Sequence, residues 1–460
     1  MEPQRQHIHQ APTPLRTPAP ESPPPGRRRS RRAALSAGAL ALGGTAAAAC
    51  SAPGGGTQAG SGADGGGRTA TPATIGYLSF FGPDDPQTIS FPHVLQQFQQ
   101  RHPNVTVEQT STSGTSGNVM EKYLTLISAG TPPDVAAVNP QFIEPLWSKG
   151  ALADLTAYVK RDARTFQPED FNEATLLRAI RDGKWHALPL QMGLWFLFYN
   201  AGSLGAAGIP RPDATWTWNR LLEAAVTVRQ RDPNSLGSTM PPYELPVRGN
   251  GGDVLSADEK RCVLDQPPAV EAVEWLGELR HKHRAVPDPS ETGGQATRAL
   301  FDAGRYAFHT GDPGFLSGTL RGALSFPWDI AVVPRGRAAH MSTVKGPSLV
   351  LSAGGKQPDT AWAWLAHYDG VEMQRYIATN GKIVSARKSA LKAFIELPEG
   401  YNKQAIADAA AIARPMPYVP RYDEMDREIQ AGLNAVYAGQ RTARDAMVEV
   451  VQKVNPLLSG

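Results

Sequence analysis

The constraint that most narrows the fold lies in residues 73–138, where strand-like and helix-like hydrophobic spacing alternate. The stretch "ATIGYLSFF" (73–81) is β-branched and aromatic, and the acidic turn Gly82-Pro83-Asp84-Asp85-Pro86 breaks it. Phe91, Val94, Leu95 and Phe98 then fall at i, i+3, i+4 and i+7, the buried stripe of one helix. "HPN" (102–104) stops that helix before the alternating strand Val105-Thr106-Val107-Glu108. The rhythm recurs: "VMEKYLTLISAG" predicts a helix stopped by Gly130, and "PPDVAAV" a strand ending at Asn139-Pro140. Strand, helix, strand is the βαβ unit of a parallel sheet.

Further along, "QFIEPLWSKGALADLTAYV" reads as helix, glycine turn and leucine-rich cap. "GKWHALPL" and "GLWFLFYN" are extended segments flanking Gly193, and "TWTWNRLLEAAVTVRQR" is a helix entered through a threonine cap. "PPAVEAVEWLGELRHKHRAV" predicts a second amphipathic helix with proline at its start. "ATRALFDAGRYAFHTGDPG" runs from helix through a glycine into a short strand; "PWDIAVVPRG" and "GPSLVLSAGG" are strands, and "PDTAWAWLAHYDG" is a helix. The tail from Tyr422 to Val454 predicts two helices around Gly439, with no motif legible beyond packing. No internal repeat is visible.

The N-terminus carries a different signal. Ser30-Arg31-Arg32 is followed by "AALSAGALALGGTAAAAC", an Ala/Gly/Leu run ending at Cys50. A charged region, a short apolar region and small residues before a cleavage point are the parts of an export signal, and the run is shorter than the roughly 20 residues that span a bilayer. The arginine pair resembles a twin-arginine signal. Ala47-Ala48-Ala49-Cys50 resembles a bacterial lipobox, with Ala47 in place of the usual leucine, so residues 1–49 are expected to be removed and Cys50 lipidated. Ser51 to Thr71 is rich in Gly, Ser and Ala and reads as a flexible tether, placing a lipidated Cys50 and its linker over 50–73.

The formal charge of +3 belongs mostly to that leader. Without its seven arginines and Glu2 and Glu21, the chain keeps 39 basic against 41 acidic residues, a net of −2. A nearly neutral body without a basic stripe gives no electrostatic reason to expect nucleic acid. With Cys50 assigned to lipid, Cys262 stands alone, so no intrachain disulfide or cysteine metal site is expected, and Cys262 reads as a small inert side chain. A body from about 74 to 460 is too long for one ordinary core and predicts two lobes.

In order along the chain stand "FQQRHPNVTVE", "ISAGTPPDVAAV", "WSKGALADL", "GKWHALPL…FLFYN", "AGIPRPDATWTWNRLLEAA", "GGDVLSADEK", "FDAGRYAF", "WDIAVVPRG" and "GPSLVLSAGGKQPDTAWAWLAHYDGVEMQRYI". Together they resemble the extracellular solute-binding proteins (family 1) of ABC importers, the maltose-binding-protein-like sugar group, over essentially 74–455. The resemblance implies an α/β, two-lobe periplasmic-binding-protein-like fold of type II, with a hinge of crossing strands and a ligand cleft between the lobes. It implies lobe I from 74–190 plus 342–392 and lobe II from 191–341 plus 393–460. It also implies a sugar ligand, ABC permease transmembrane subunits as partners, a membrane held through the lipid anchor, a monomer, and no cofactor.

In open α/β sheets, ligands sit beyond the carboxyl ends of strands, which here are Phe80-Phe81, Ser111-Thr112-Ser113, Asn139–Gln141 and the loop at Gly311-Asp312. Sugar recognition needs flat apolar faces together with polar groups that pair hydroxyls, since each buried unpaired polar group costs about 1–3 kcal/mol. The expected aromatic contacts are Phe81, Trp195, Tyr243 and Trp328. The expected polar ones are Ser113, Asn139, Gln141, Asn250, Asp312 and Lys345. Gln141 falls where a sugar-binding family member carries an acidic hydroxyl-binding residue. Trp216, Trp218, Trp275, Trp362 and Trp364, all on helical patterns, are expected in the core.

The rival chemistries find little support. A glycan hydrolase needs two acids about 5–10 Å apart, and nothing in the sequence pairs them. His281 and His283, two residues apart, point to different sides of a helix and make a poor metal pair. "GTSGN" (114–118) departs from the G-x-S-x-G elbow and no P-loop appears, so no catalytic residue is expected. A lipid-anchored sensor reporting to a receptor kinase would share the binding fold, and the sequence separates it poorly from an importer's receptor.

Overall fold

The computed structural model describes residues 72–459 except 83–84, 113–115, 323 and 399, so the leader, Cys50 and Ser113 lie outside the described residues. Twelve strands occur among the described residues: β1 (Ala73–Ser79), β2 (Val105–Ser111), β3 (Val135–Val138), β4 (Ile180–Arg181), β5 (Lys184–Trp185), β6 (Leu188–Pro189), β7 (Phe196–Asn200), β8 (Phe308–Gly311), β9 (Trp328–Val332), β10 (Ser342–Val344), β11 (Ser348–Leu351) and β12 (Ala413–Pro415). They build two principal sheets, one per lobe.

The first sheet has the order β2-β1-β3-β11-β6. Its β1 runs parallel to β2 and β3, as the βαβ spacing predicts, whereas β11 pairs antiparallel with both β3 and β6. The reversal follows from connectivity: β11 returns from the second lobe rather than from a crossover helix. The helix Pro86–Arg101 is capped by Asp85, whose carboxylate accepts from the Gln87 N–H at 2.8 Å, and it buries Phe91, Val94 and Phe98. The helix Ser116–Ser128 ends near Gly130, which takes φ +72°. The helix Pro358–Tyr368 lays Trp364 against Tyr77, Phe91 and Phe98, with ring centroids 5.1–6.3 Å apart.

The second sheet, β8-β7-β9, is wholly antiparallel. The run Phe196-Leu197-Phe198-Tyr199-Asn200 is buried at every position, since both faces of this sheet are covered. Phe196 and Phe198 join the core shared with Phe301, Leu316 and the first sheet, while Leu197 and Tyr199 turn to the opposite side, toward Trp216, Trp218, Leu276 and Leu433. The helices Trp218–Arg231, Pro267–His281, Tyr422–Tyr437 and Ala443–Leu458 fall where hydrophobic spacing puts them. Thr217 Oγ1 caps the first of these by accepting from the Arg220 N–H at 3.1 Å. Trp216, Trp218, Trp362 and Trp364 are buried as expected, and Trp275 is half-buried beside Trp218. Cys262 is buried, and burial pushes its thiol up to about 11, which keeps it protonated and unreactive.

One buried charge organises the first lobe. Arg387 has no exposed surface, yet its guanidinium donates to the carbonyls of Asp369 (2.5 Å), Gln167 (3.0 Å) and Phe166 (2.9 Å) and lies over the rings of Phe166 and Phe171. Burial pushes the nearby Asp369 carboxyl well above the ordinary carboxylate range, with Arg387 pulling the other way.

Between the two principal sheets the chain runs through 190–195, from β6 to β7, and 333–347, from β9 to β11. These segments touch at an isolated antiparallel bridge, where the Lys345 N–H donates to the Gly193 carbonyl at 2.9 Å and the Gly193 N–H donates back to the Lys345 carbonyl. A Cβ on Gly193 would fall on that carbonyl, so close backbone approach requires glycine here.

Candidate functional site

The bridge places two side chains at the mouth of the second lobe. Trp195 follows Gly193 by two residues, and its backbone N–H donates to Ser342 Oγ at 3.3 Å. The Lys345 ammonium lies 4.0 Å from the centroid of the Trp195 ring. Both line a hollow of about 530 Å³, closed on its other sides by Met240–Glu244, the end of β8 from His309 to Asp312, Phe315, Met416, Tyr418 and one face of the helix Tyr422–Tyr437. The size suits a small-molecule ligand.

Four expected residues therefore meet: Trp195, Tyr243, Asp312 and Lys345. Asp312 is also the cap of the helix Pro313–Arg321, its carboxylate accepting from the Phe315 N–H at 3.1 Å. Tyr243 precedes the short helix Glu244–Gly249, and burial beside Glu244 pushes its phenol well above the ordinary range.

The other expected residues are elsewhere. Phe81 is core, 4.6 Å from the ring of Phe80 and buried with the first-lobe cluster. Asn139 and Gln141 are half-buried around the turn Pro140–Phe142 and do not line this hollow. It is Pro140 between them that faces the hinge, sharing a narrow gap with Gln191, Lys345, Gly346 and Tyr418. Trp328 begins β9, where register opposite Asn200 turns its ring onto Tyr401 (5.7 Å) and Phe198 (6.4 Å), so it packs between elements. Asn250 spends its amide on the Pro268 carbonyl (2.8 Å) and the Glu271 carboxylate (3.2 Å), beside a separate hollow of about 440 Å³ under Trp218 and Trp275.

The residues that sequence reading missed are Glu244, His309, Thr310, Phe315, Tyr418, Tyr422, Asp426 and Tyr437. Tyr422, Asp426 and Tyr437 put one face of the C-terminal tail on the wall of the hollow. "MPPYELP" (240–246) and "RPMPYVPRYDEMD" (414–426), two proline-broken runs dense in Tyr and acids, were the signal available. Their chemistry is mixed. Burial holds the His309 imidazole down to about 4, so it is neutral at pH 7 and shares a 3.1 Å hydrogen bond with Thr239 Oγ1. Burial pushes the Glu244 carboxyl upward, opposed by the Lys345 and Arg248 charges. Trp195 Nε1 and Thr310 Oγ1 are buried with no hydrogen-bond partner among the described residues, a cost of about 1–3 kcal/mol each if left unmet.

Arg178, on the helix Glu173–Ala179 beside the first sheet, forms an ion pair with Glu259 at 2.5 Å. Among the described residues no group of His, Cys, Asp or Glu is arranged to hold a metal ion, and no helix is long and apolar enough to cross a membrane.

Comparison with known proteins places this geometry. A model of the family described as bacterial extracellular solute-binding protein matches residues 85–374. Among solved structures, the chain is similar to the ABC substrate-binding protein Lmo0181 of Listeria monocytogenes in complex with cycloalternan, at 20 % identity and TM-score 0.76 over 84 % of this chain and 99 % of that one. It is similar to maltose-bound MalE3 of T. maritima, at 23 % identity and TM-score 0.68 over 84 % and 100 % of the two chains. It is similar also to UgpB of Mycobacterium tuberculosis in complex with glycerophosphocholine, at 17 % identity and TM-score 0.71 over 83 % and 98 %. These likenesses share the two-lobe architecture, and the family match spans more than half of the sequence. The chain belongs to the bacterial extracellular solute-binding proteins.

Proposed function

We propose that this protein captures a sugar outside the cell and delivers it to the permease subunits of an ABC importer, acting as a monomer and without covalent chemistry. The observation that carries the sugar reading is the Trp195 hollow, where aromatic faces stand beside buried polar atoms that have no partner. Aromatic rings cover the C–H surface of a sugar, and the Trp195 N–H and the Thr310 hydroxyl, buried at the wall of the hollow, would pair its hydroxyls once side chains shift to admit it. The similarity to cycloalternan- and maltose-bound proteins points the same way.

In this reading the lobes comprise 74–190 plus 342–392 and 191–341 plus 393–460, and bind solute by closing on it. A ligand favours closure only by its affinity difference between the two states, so it must touch both lobes. Pro140, Thr175, Arg178 and Pro189 line the narrow gap beside the hinge and are the first-lobe groups a ligand there would meet. The leader delivers the chain across the membrane, and Cys50 anchors it through lipid to the outer face.

A melting-temperature screen against neutral sugars, polyols, sugar phosphates, amino acids and short peptides tests the substrate class. A ligand at a hundred times its dissociation constant adds about 2.7 kcal/mol, a shift of a few degrees. The expected result is an upward shift with one carbohydrate group; shifts with peptides or amino acids alone contradict the sugar assignment.

A further inference from the structure

The hollow around Trp195 holds more negative than positive charge, and the imbalance bears on which sugar fits. Glu244 is 6 % exposed, and Asp426 stands on the helix Tyr422–Tyr437; both carboxylates line the hollow. Among the described residues neither carboxylate is in an ion pair, although Lys345 and Arg248 stand close enough to favour the charged form of Glu244 against its burial. Arg248, near Glu244, is committed to Asp253 (2.8 Å) and to the Pro415 carbonyl (3.0 Å). Asp426 accepts from the Gln430 amide at 3.3 Å, a neutral donor. His309 is uncharged, and Asp312 is occupied as a helix cap. Lys345, the one cation lining the hollow among the described residues, rests on the Trp195 ring.

When the cleft closes and water leaves, Glu244 and Asp426, with the helix-capping Asp312 beside them, face one ammonium. An added anion would be buried against like charge, a neutral ligand would leave the excess unmet, and an ammonium would balance it. The partnerless Thr310 hydroxyl, on a residue 4 % exposed, and the partnerless Trp195 N–H ask separately for hydroxyl-type partners. The required ligand therefore combines a polyhydroxylated body with a positive charge.

We propose that the solute is an amino sugar or an oligosaccharide bearing a free amine, with that amine paired by Glu244 and Asp426. This rests on the carbohydrate-receptor reading and names its substrate class.

Calorimetric titration of the purified protein with matched probes tests it: glucosamine against glucose, and the β-1,4 disaccharide of glucosamine against cellobiose and its di-N-acetyl form. Maltose, glucose 6-phosphate and putrescine complete the set. The expected result is at least tenfold tighter binding of an amine-bearing sugar than of its hydroxyl or N-acetyl counterpart, and no binding of the phosphate. Glu244→Gln should collapse that ratio toward one, and Asp426→Asn, at a less buried position, provides the same readout if the first variant folds poorly. Equal or tighter binding of the neutral counterparts overturns the amine assignment and leaves the sugar receptor standing, as does a preference that survives both variants. Binding of putrescine alone, or of no carbohydrate at all, overturns both.

Discussion

Arg387→Met will destabilise the protein by about 3–5 kcal/mol, the usual cost of removing one partner from a buried charged network. The substitution keeps side-chain length but strips three backbone carbonyls of their donor and leaves the rings of Phe166 and Phe171 without the guanidinium between them. It also withdraws the cation nearest Asp369. That carboxyl, already raised by burial, is raised further in the variant. A folded-state pKa above the unfolded value gives stability that is present at low pH and lost as pH rises through the folded pKa. The deficit against wild type should therefore widen once pH passes the folded-state pKa of Asp369 in the wild type, where the wild type stops losing stability and the variant continues to lose it. Urea melts of both proteins from acidic to alkaline pH check magnitude and sign together; an equal loss at every pH would detach Asp369 from the effect.

Gly193→Ala should be nearly as damaging, and in a different way. A Cβ there meets the backbone of Lys345 and Gly346 rather than a movable side chain, so the two crossing segments must separate. Overpacking against side chains costs about 1–3 kcal/mol, and backbone has less room to yield. Because Trp195 and Lys345 flank the bridge, the same displacement spoils their stacking. The variant should melt several degrees lower and bind solute at least tenfold more weakly. Melting curves and calorimetry on one preparation check both; a stability loss with unchanged affinity would mean the bridge does not position the site.

The fold was legible because its determinants are local. The stripe Phe91, Val94, Leu95 and Phe98, the Thr217 cap and the Pro267 start each lie within a few residues of what they specify. What local spacing could not give is the direction of β11, which depends on the chain having crossed to the second lobe and back. The site divides in the same way. Trp195, Asp312 and Lys345 adjoin readable landmarks: a conspicuous glycine, a strand end and a loop between strands. Trp328 looks the same in sequence, and only register with Asn200 turns it toward Tyr401. Tyr418, Tyr422 and Asp426 come from a segment more than 200 residues beyond Trp195; Tyr418 is buried ahead of the helix, and on the helix Tyr422 and Asp426 read as an ordinary half-exposed face.

Calorimetric titration of wild-type and Trp195→Ala protein, with the carbohydrate that raises the melting temperature most, tests the placement of the binding site most directly. Truncating a central aromatic anchor typically costs about 2 kcal/mol or more. The prediction is a single saturable site in the wild type and, in the variant, affinity reduced by about thirtyfold or more with little change in the melting temperature of the free protein. Wild-type affinity in the variant would contradict the placement of the sugar against Trp195.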